Sequence, residues 1–467
     1  MKEEQYRNLI DKVVEHFLQA ESIHLEPPLS RSDIAGLFDY DLDDNSPSGQ
    51  SEIQKFCENY LRHSVNTSNR SYCNQLWSKV ESPSFLGEML SAATNTSMYT
   101  FEVAPVATIL EHKMIDHFSK KIWGEPTEGL MTSGGTASNL QALMMARNHF
   151  LEGAKQGGVS GKNGIILTSK LSHYSIKRSA NILGIGIDNC LDINPDSKGK
   201  MNLTHLKQTI DEQIEKGNRP FCVVATAGTT VHGAYDPIDE IADICKENDI
   251  WLHVDGAYGA NALLSAQHRH LLKGVEKADS ISWDFHKAMG IHLTCAFLLT
   301  RHKNLLKSTL VAGNDKYLFH DDADLYEDLG PRSLQCGRRV DILKLWLTWM
   351  SRGRKGMADR VDQLFQSSIQ FAKMIEEHRQ LELLLSPEST NICFRYISSM
   401  GPDIRHEEAI RQKLMRSGEG YINFSSDDRG PFFRMAITRP DLDAEFLANL
   451  LKRIIQMGED LDRVPRQ

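Results

Sequence analysis

Asp279-Ser280-Ile281-Ser282-Trp283-Asp284-Phe285-His286-Lys287 carries a histidine and a lysine out of a short apolar segment, and a second apolar run, Cys295 to Leu299, follows it. Upstream, the apolar run Ile250 to Val254 ends in Asp255-Gly256-Ala257-Tyr258-Gly259. That pattern predicts a buried strand delivering an acid at its C-terminal end, where open α/β sheets bind their ligands. A lone lysine after a strand is most often a surface group. Lys287 stands instead among apolar residues, with no run of compensating charge beside it. A lysine so placed can lose its proton, act as a nucleophile and form a Schiff base.

Strand and helix patterns alternate around these two motifs. Gly164 to Thr168 and Phe221 to Ala225 read as strands, and Ile238 to Glu247 as an amphipathic helix returning to Trp251. Such alternation over some 200 residues argues for a mostly parallel sheet with helices on both faces. Met131-Thr132-Ser133-Gly134-Gly135-Thr136-Ala137-Ser138-Asn139 precedes a helix through Leu140, Met144 and Met145. Glycines and hydroxyl residues at a helix start make a phosphate cradle, because backbone N–H groups and the positive end of the dipole face the anion. Gly-Gly-Thr alone recurs in ordinary turns; here it opens a helix upstream of the lysine. Pyridoxal phosphate needs a lysine and an acid at its pyridinium nitrogen, and Asp255 fits the second role.

His253-Val254-Asp255-Gly256-Ala257-Tyr258 and Ser282-Trp283-Asp284-Phe285-His286-Lys287 resemble the two cofactor motifs of the group II pyridoxal-phosphate amino-acid decarboxylases. Five motifs occur in family order, from about Tyr72 to the C-terminus. The chain is most similar to the acidic-substrate branch, glutamate and cysteine sulfinate decarboxylase. The resemblance implies the α/β fold of aspartate aminotransferase, fold type I. That fold has a large domain with a mostly parallel seven-stranded sheet and a small α+β C-terminal domain. The expected division is 1–75 for a helical, dimer-packing segment, 76–345 for the cofactor domain and 346–467 for the small domain. A homodimer with its active site at the subunit interface is expected.

The resemblance also assigns roles. Lys287 holds the cofactor and Asp255 its pyridine nitrogen. Gly134, Gly135 and Thr136 take the phosphate. His173, in Ser172-His173-Tyr174-Ser175, stacks on the ring or meets the carboxylate being lost. Thr226, Ala257, Ser280 and His286 line the cofactor. Tyr317, in Tyr317-Leu318-Phe319, stands in the family's mobile loop and supplies a proton to the product carbon. Gln75, Trp77, Ser97 and Arg434 face the substrate. From the residues alone, Arg434 is equally a structural salt bridge, since an arginine amid the apolar strand Phe432 to Ile437 is rarely left unpaired. Asn74-Gln75-Leu76 is followed by Trp77 and Asn95-Thr96 by Ser97, as in cysteine sulfinate rather than glutamate decarboxylases. A bulky indole shortens the pocket, which favours aspartate or cysteine sulfinate over glutamate.

Two departures keep alternatives open. Asp284-Phe285-His286-Lys287 replaces the branch's Asn-Pro-His-Lys and resembles some diaminobutyrate-type enzymes, and Gly256 replaces an alanine. A glutamate or diaminobutyrate decarboxylase, another reaction of the same fold such as transamination or carbon–sulfur cleavage, and an inactive homologue are the competing readings.

The 467 residues are 40% apolar and 25% charged, as in a soluble globular chain of two or three lobes. A net charge of −9 argues against nucleic acid or an anionic membrane as partner. No run of ~18 apolar residues predicts a membrane span. The start, Met1 to Arg7, lacks the apolar core of a signal peptide. Eight cysteines, with no CxxC, read as reduced thiols, so the expected place is the cytoplasm. No metal is expected. Helices are predicted over residues 1–20 and Ile53 to Leu61, with an acidic loop between them at Asp39 to Ser51. Beyond Lys287 come a polar loop, Leu310 to Leu329, and a helix, Ile342 to Trp349. A long helix from Met357 to Arg379, strands Leu381–Leu385 and Ile392–Tyr396, a helix near Glu407–Ser417 and a closing helix, Asp441 to Met457, follow.

Overall fold

The structure is a computed structural model describing residues 3–37, 49–313, 317–319, 327–401 and 403–463. Most of the acidic loop, Asn314 to Lys316 and His320 to Tyr326 lie outside the described residues. Strand β1 (Tyr72–Cys73) belongs to a smaller sheet considered below. Strands β2 (Glu128–Thr132), β3 (Gly164–Ser169), β4 (Cys190–Ile193), β5 (Arg219–Thr226), β6 (Trp251–Asp255), β7 (Ser280–Asp284) and β8 (Ala296–Thr300) form the larger one. Their order is β2-β8-β7-β6-β5-β3-β4. The run from β7 to β4 is parallel, and β8 alone opposes its neighbours β7 and β2. This is the mostly parallel seven-stranded sheet that the family resemblance implies.

Strands β3, β6, β7 and β8 are buried at every residue, as strands covered on both faces must be. That is why they read as continuous apolar runs rather than alternating ones. Phe118, from the helix Pro105–Trp123, has its ring centroid 4.9 Å from Trp283, 4.8 Å from Phe285 and 5.5 Å from Phe297. All four are fully buried. Truncating such a phenylalanine to alanine costs about 3–5 kcal/mol. The cluster also seats the end of β7, three residues before Lys287. The parallel register aligns Thr226, Asp255 and Ser282 side by side. The C-terminal strand ends therefore make one floor.

Strands β9 (Leu381–Leu383), β10 (Asn391–Tyr396), β11 (Tyr421–Asp427) and β12 (Gly430–Ala436) complete the second sheet in the order β1-β11-β12-β10-β9. Its core holds Phe371, Phe394, Phe433, Ile410 and Leu451. The helices Glu407–Arg416 and Ala444–Asp462 pack beside it. Strand β11 was not foreseen: its outer half is polar and exposed, so only Tyr421 and Ile422 carry a strand signal. Strand β1 pairs in parallel with it, which draws the N-terminal segment into this sheet and sets Asn74 and Gln75 at its edge.

The helix Ile342–Glu376 joins the two sheets' cores and is interrupted at Gly353 (φ 62°, ψ 178°). The two helices expected here are the arms of this element, and a division at 345/346 falls inside its first arm. Arg360, on the second arm, donates to Glu81 at 2.6 Å, to the carbonyl of Ala288 at 2.9 Å and to that of Thr438 at 3.1 Å. One buried fork thus ties both lobes to the residue after Lys287. The helices Glu3–Gln19 and Gln50–His63 form as expected and bury none of their residues. Tyr6, Ile10, Val13, Leu18, Phe56 and Tyr60 are exposed on them. Among the described residues no helix is long and apolar enough to cross a membrane.

Candidate active site

Asp255 ends β6 and is buried. Its Oδ2 accepts from Asn139 Nδ2 at 2.9 Å, and its Oδ1 from the Ala257 N–H at 3.1 Å and Ser282 Oγ at 3.3 Å. Three donors leave the carboxylate one orientation. Asn139 is itself fully engaged. Its Nδ2 also donates to Ser175 Oγ at 3.0 Å, and its Oδ1 shares the single Ser282 hydroxyl hydrogen with Asp255, at 2.9 Å, and faces His253 Nε2 at 3.0 Å. An acceptor at Nε2 requires the hydrogen there, so His253 Nδ1 accepts from Ser280 Oγ at 2.9 Å. Ser280 in turn accepts from Trp251 Nε1 at 3.0 Å. Burial pushes the His253 pKa down, matching a neutral ring with one donor and one acceptor.

This network corrects the role expected of Ser280. Strand period two places Ser282 on Asp255, and Ser280 lies one pair back, its hydroxyl taken by His253 and Trp251. Asn139, His253 and Ser282 were missed as site residues. The signal for Asn139 was its place one helical turn after Gly135; that for Ser282 was its alternation with Ser280.

The helix Gly135–Phe150 begins behind Gly134, whose φ of 126° favours glycine. A Cβ on Gly135 would stand 2.9 Å from Ala257 Cβ and 3.0 Å from Asp284 Oδ2. The cradle's backbone is therefore bare because its neighbours leave no room. Thr136 follows in the first turn. Gly256 is constrained likewise: a Cβ there would lie 2.8 Å from both Ala260 Cβ and the Ser282 carbonyl. That accounts for its departure from alanine.

Lys287 Nζ lies 3.3 Å from Asp284 Oδ2. The expectation of a lysine without a compensating charge is thus corrected. Strand β7 ends at Asp284, and the turn after it brings the lysine back over that carboxylate. Asp284 Oδ2 also accepts from the Gly135 N–H at 3.2 Å and stands 3.6 Å from His286 Nε2. His286 Nδ1 accepts from the Cys295 N–H at 3.0 Å. Burial lowers the His286 pKa and Asp284 opposes that. His173 Nδ1 accepts from the Ser175 N–H at 3.3 Å. Burial lowers the His173 pKa, and the nearby charges acting on it are Asp255, Lys287, Asp284 and Arg178. The fold therefore gathers His173, Asp255, Asp284 and Lys287 on one floor. Thr226 is buried beside Asp255, and its Oγ1 has no hydrogen-bond partner among the described residues. A bare helix N-terminus, an oriented carboxylate, a lysine and an orphaned hydroxyl on neighbouring strand ends fit pyridoxal phosphate.

Arg434, on β12, is buried. Its Nη1 donates to the Thr230 carbonyl at 3.0 Å and Nη2 to the Asn74 carbonyl, while Nε has no partner. Among the described residues no carboxylate pairs with it, so the structural salt bridge is not there. Tyr72 and Tyr258 stand close enough for the guanidinium to act on both phenols. Gln75 is exposed. Trp77 is half-buried, its ring 6.1 Å from that of Tyr72.

Ser97 lies on another wall, where its Oγ accepts from the Arg338 N–H at 3.1 Å. Arg338 is held by Glu111 at 2.7 and 3.0 Å. Phe319 packs against Gly330, whose N–H donates to the Tyr99 carbonyl at 2.9 Å. The segment around Ser97 and the described residues Tyr317 to Phe319 thus form one wall. Tyr317 is 77% exposed. Among the described residues neither Ser97 nor Tyr317 hydrogen-bonds to Lys287 or Arg434.

These features define a pyridoxal-phosphate enzyme of fold type I. The particular family follows from comparison with known proteins: the chain belongs to the pyridoxal-dependent decarboxylases, whose conserved-domain model matches residues 35–397. It is 35% identical over 443 residues to the acidic amino acid decarboxylase GADL1 of Bos taurus, covering 91% of this chain and 84% of that one. It is 35% identical over 444 residues to cysteine sulfinic acid decarboxylase of Homo sapiens, covering 91% and 89%. The crystal structure of mouse CSAD in apo form superposes with a TM-score of 0.92 at 32% identity, covering 98% of this chain and 99% of that one. The chain is a pyridoxal-phosphate-dependent amino-acid decarboxylase.

Proposed function

We propose that this enzyme removes the α-carboxyl group of a small acidic L-amino acid, taking aspartate (to β-alanine) or cysteine sulfinate (to hypotaurine) in preference to glutamate. The observation that carries the reading is Arg434: a buried guanidinium with two backbone partners, a free Nε and no carboxylate. A buried cation without a counter-ion is unfavourable unless a ligand supplies one, and a planar fork suits a carboxylate or sulfinate. The names of the bovine and human relatives agree with an acidic substrate.

Gly134, Gly135 and Thr136 would hold the phosphate, Asp255 the pyridine nitrogen, and Lys287 would anchor the cofactor covalently. When bound, pyridoxal phosphate would supply the sink for the electron pair left as CO2 departs. Asp255 would keep a proton at the ring nitrogen, and Asn139, Ser282 and the Ala257 N–H keep Asp255 in one orientation. His173, uncharged through burial, presents a neutral ring face beside Asp255. Arg434 orients the side-chain acid. Tyr317 would supply the proton to the product carbon, and Lys287 is the amine that would hold the cofactor.

We place Tyr317 and Ser97 at the partner's active site in a homodimer, with its interface along the N-terminal helices and the Ser97 wall. Tyr6, Ile10, Leu18, Phe101, Val103 and Val106 are exposed there and would be covered by a second copy of the chain. The test of substrate is the ratio of kcat/KM for aspartate, cysteine sulfinate, glutamate and diaminobutyrate, measured as CO2 release, in wild type and in Trp77→Ser with Ser97→Asn. Aspartate or cysteine sulfinate should lead glutamate by about 10–200-fold, the worth of one methylene in a fitted pocket. Preference for glutamate or diaminobutyrate in wild type, or a double variant unmoved toward glutamate, refutes the assignment.

A further inference from the structure

Asp284 puts a negative charge where an anion has to be bound. Its side chain is 1% exposed. Oδ2 accepts from the Gly135 N–H at 3.2 Å, lies 3.3 Å from Lys287 Nζ and 3.6 Å from His286 Nε2. Oδ1 is buried with no hydrogen-bond partner among the described residues. A Cβ on Gly135 would stand 3.0 and 3.4 Å from the two oxygens, so the carboxylate lies directly against the backbone of the cradle. The groups a phosphate seeks there, a helix-start N–H and a cation, are the groups Asp284 holds. A carboxylate and a phosphate in one water-poor site repel each other strongly.

We propose that Asp284 is an internal competitor for the cofactor's phosphate: in the cofactor-free chain it engages the Gly135 N–H and the Lys287 ammonium, and it yields both as the phosphate enters. The inference rests on the cofactor reading of this cradle and is independent of the substrate. Asparagine at this position keeps the shape and one acceptor oxygen and removes the charge. The competition then disappears, and affinity for any phosphate in the cradle rises.

The experiment measures dissociation constants of the cofactor-free wild type, Asp284→Asn, Asp284→Ser and Asp284→Glu by fluorescence titration. The probes are pyridoxal phosphate, pyridoxal, which has the same aldehyde and ring without the phosphate, and inorganic phosphate. The two neutral variants should bind pyridoxal phosphate and inorganic phosphate at least tenfold more tightly than wild type. Pyridoxal should change less than threefold, and Asp284→Glu should show no gain. Equal or weaker binding of pyridoxal phosphate by both neutral variants overturns the proposal. An equal gain for pyridoxal also overturns it, because the effect then runs through Lys287 alone. Failure of the underlying cofactor reading looks different: wild type would bind pyridoxal phosphate no better than pyridoxal.

Discussion

Replacing Arg434 by methionine separates recognition from stability. The substitution keeps an unbranched chain of similar reach and removes the buried charge. Two stability terms then oppose each other. Relief of a buried, unpaired cation is worth several kcal/mol. The carbonyls of Thr230 and Asn74 lose their donor, at about 1–3 kcal/mol each. These offset, so the melting temperature should stay near that of wild type. Recognition has no such compensation. Loss of one partner of a buried, hydrogen-bonded charge pair costs about 2–5 kcal/mol. At about 1.4 kcal/mol per tenfold, kcat/KM for an acidic substrate should fall by about 30- to 4,000-fold. Asparagine, which shares aspartate's length but is neutral, should lose little. The assay is CO2 release from aspartate, cysteine sulfinate and asparagine by wild type and Arg434→Met, with thermal melts of both. An equal loss on aspartate and asparagine refutes the reasoning, for it puts Arg434 on the α-carboxylate common to both. An unchanged ratio with unchanged rates removes Arg434 from the pocket.

Acid sensitivity follows from His253. Its folded pKa lies below the ordinary value of about 6.5, so as pH falls the unfolded chain takes up the proton first. Stability should be full above about pH 6.5 and decline steadily below it. His253→Gln should flatten, though not abolish, the decline of melting temperature with acid, because His173 and His286 are lowered by burial too; a slope identical to wild type would count against the neutral ring. Tyr317→Phe should still release CO2 but accumulate pyridoxamine phosphate through a misplaced proton. In mixed dimers with Lys287→Ala, one intact site should reappear if Tyr317 serves the partner, and no recovery would place Tyr317 at its own chain's site.

The larger sheet was legible because parallel strands buried on both faces are written as unbroken apolar runs, and Ile250 to Val254 and Cys295 to Leu299 are such runs. Strand β11 was not, since burial there covers only two residues and the rest faces water. Asp255 and Lys287 could be read because each ends a strand at a place where chemistry collects. The contact between Asp284 and Lys287 could not, although only two residues separate them, because it depends on how the chain turns after β7. The roles of Ser280 and Ser282 were open to confusion for the opposite reason. Both belong to a regular strand, and only the register with β6 tells which one meets Asp255. Ser97 and Tyr317 mark a different limit. They lie on a wall whose described hydrogen bonds do not reach Lys287 or Arg434, so one chain's sequence order says nothing of which subunit they serve.

Asp284 and Arg434 divide the site's electrostatics into two separable parts. Asp284 acts on the Gly135 N–H, Lys287 and His286. Arg434 acts on the carbonyls of Thr230 and Asn74. The two lists have no member in common. Before the cofactor arrives, the Asp284–Lys287 pair is neutral in itself, and Arg434 is the charge in want of a partner. On the proposed reading, an acidic substrate would satisfy Arg434 without contesting the anion cradle, while the phosphate would contest only Asp284. The anionic cofactor and the anionic substrate would then be kept to different cations. Such a separation would let the enzyme hold two acids at once, one as its cofactor's phosphate and one as its substrate's side chain, without either occupying the other's place.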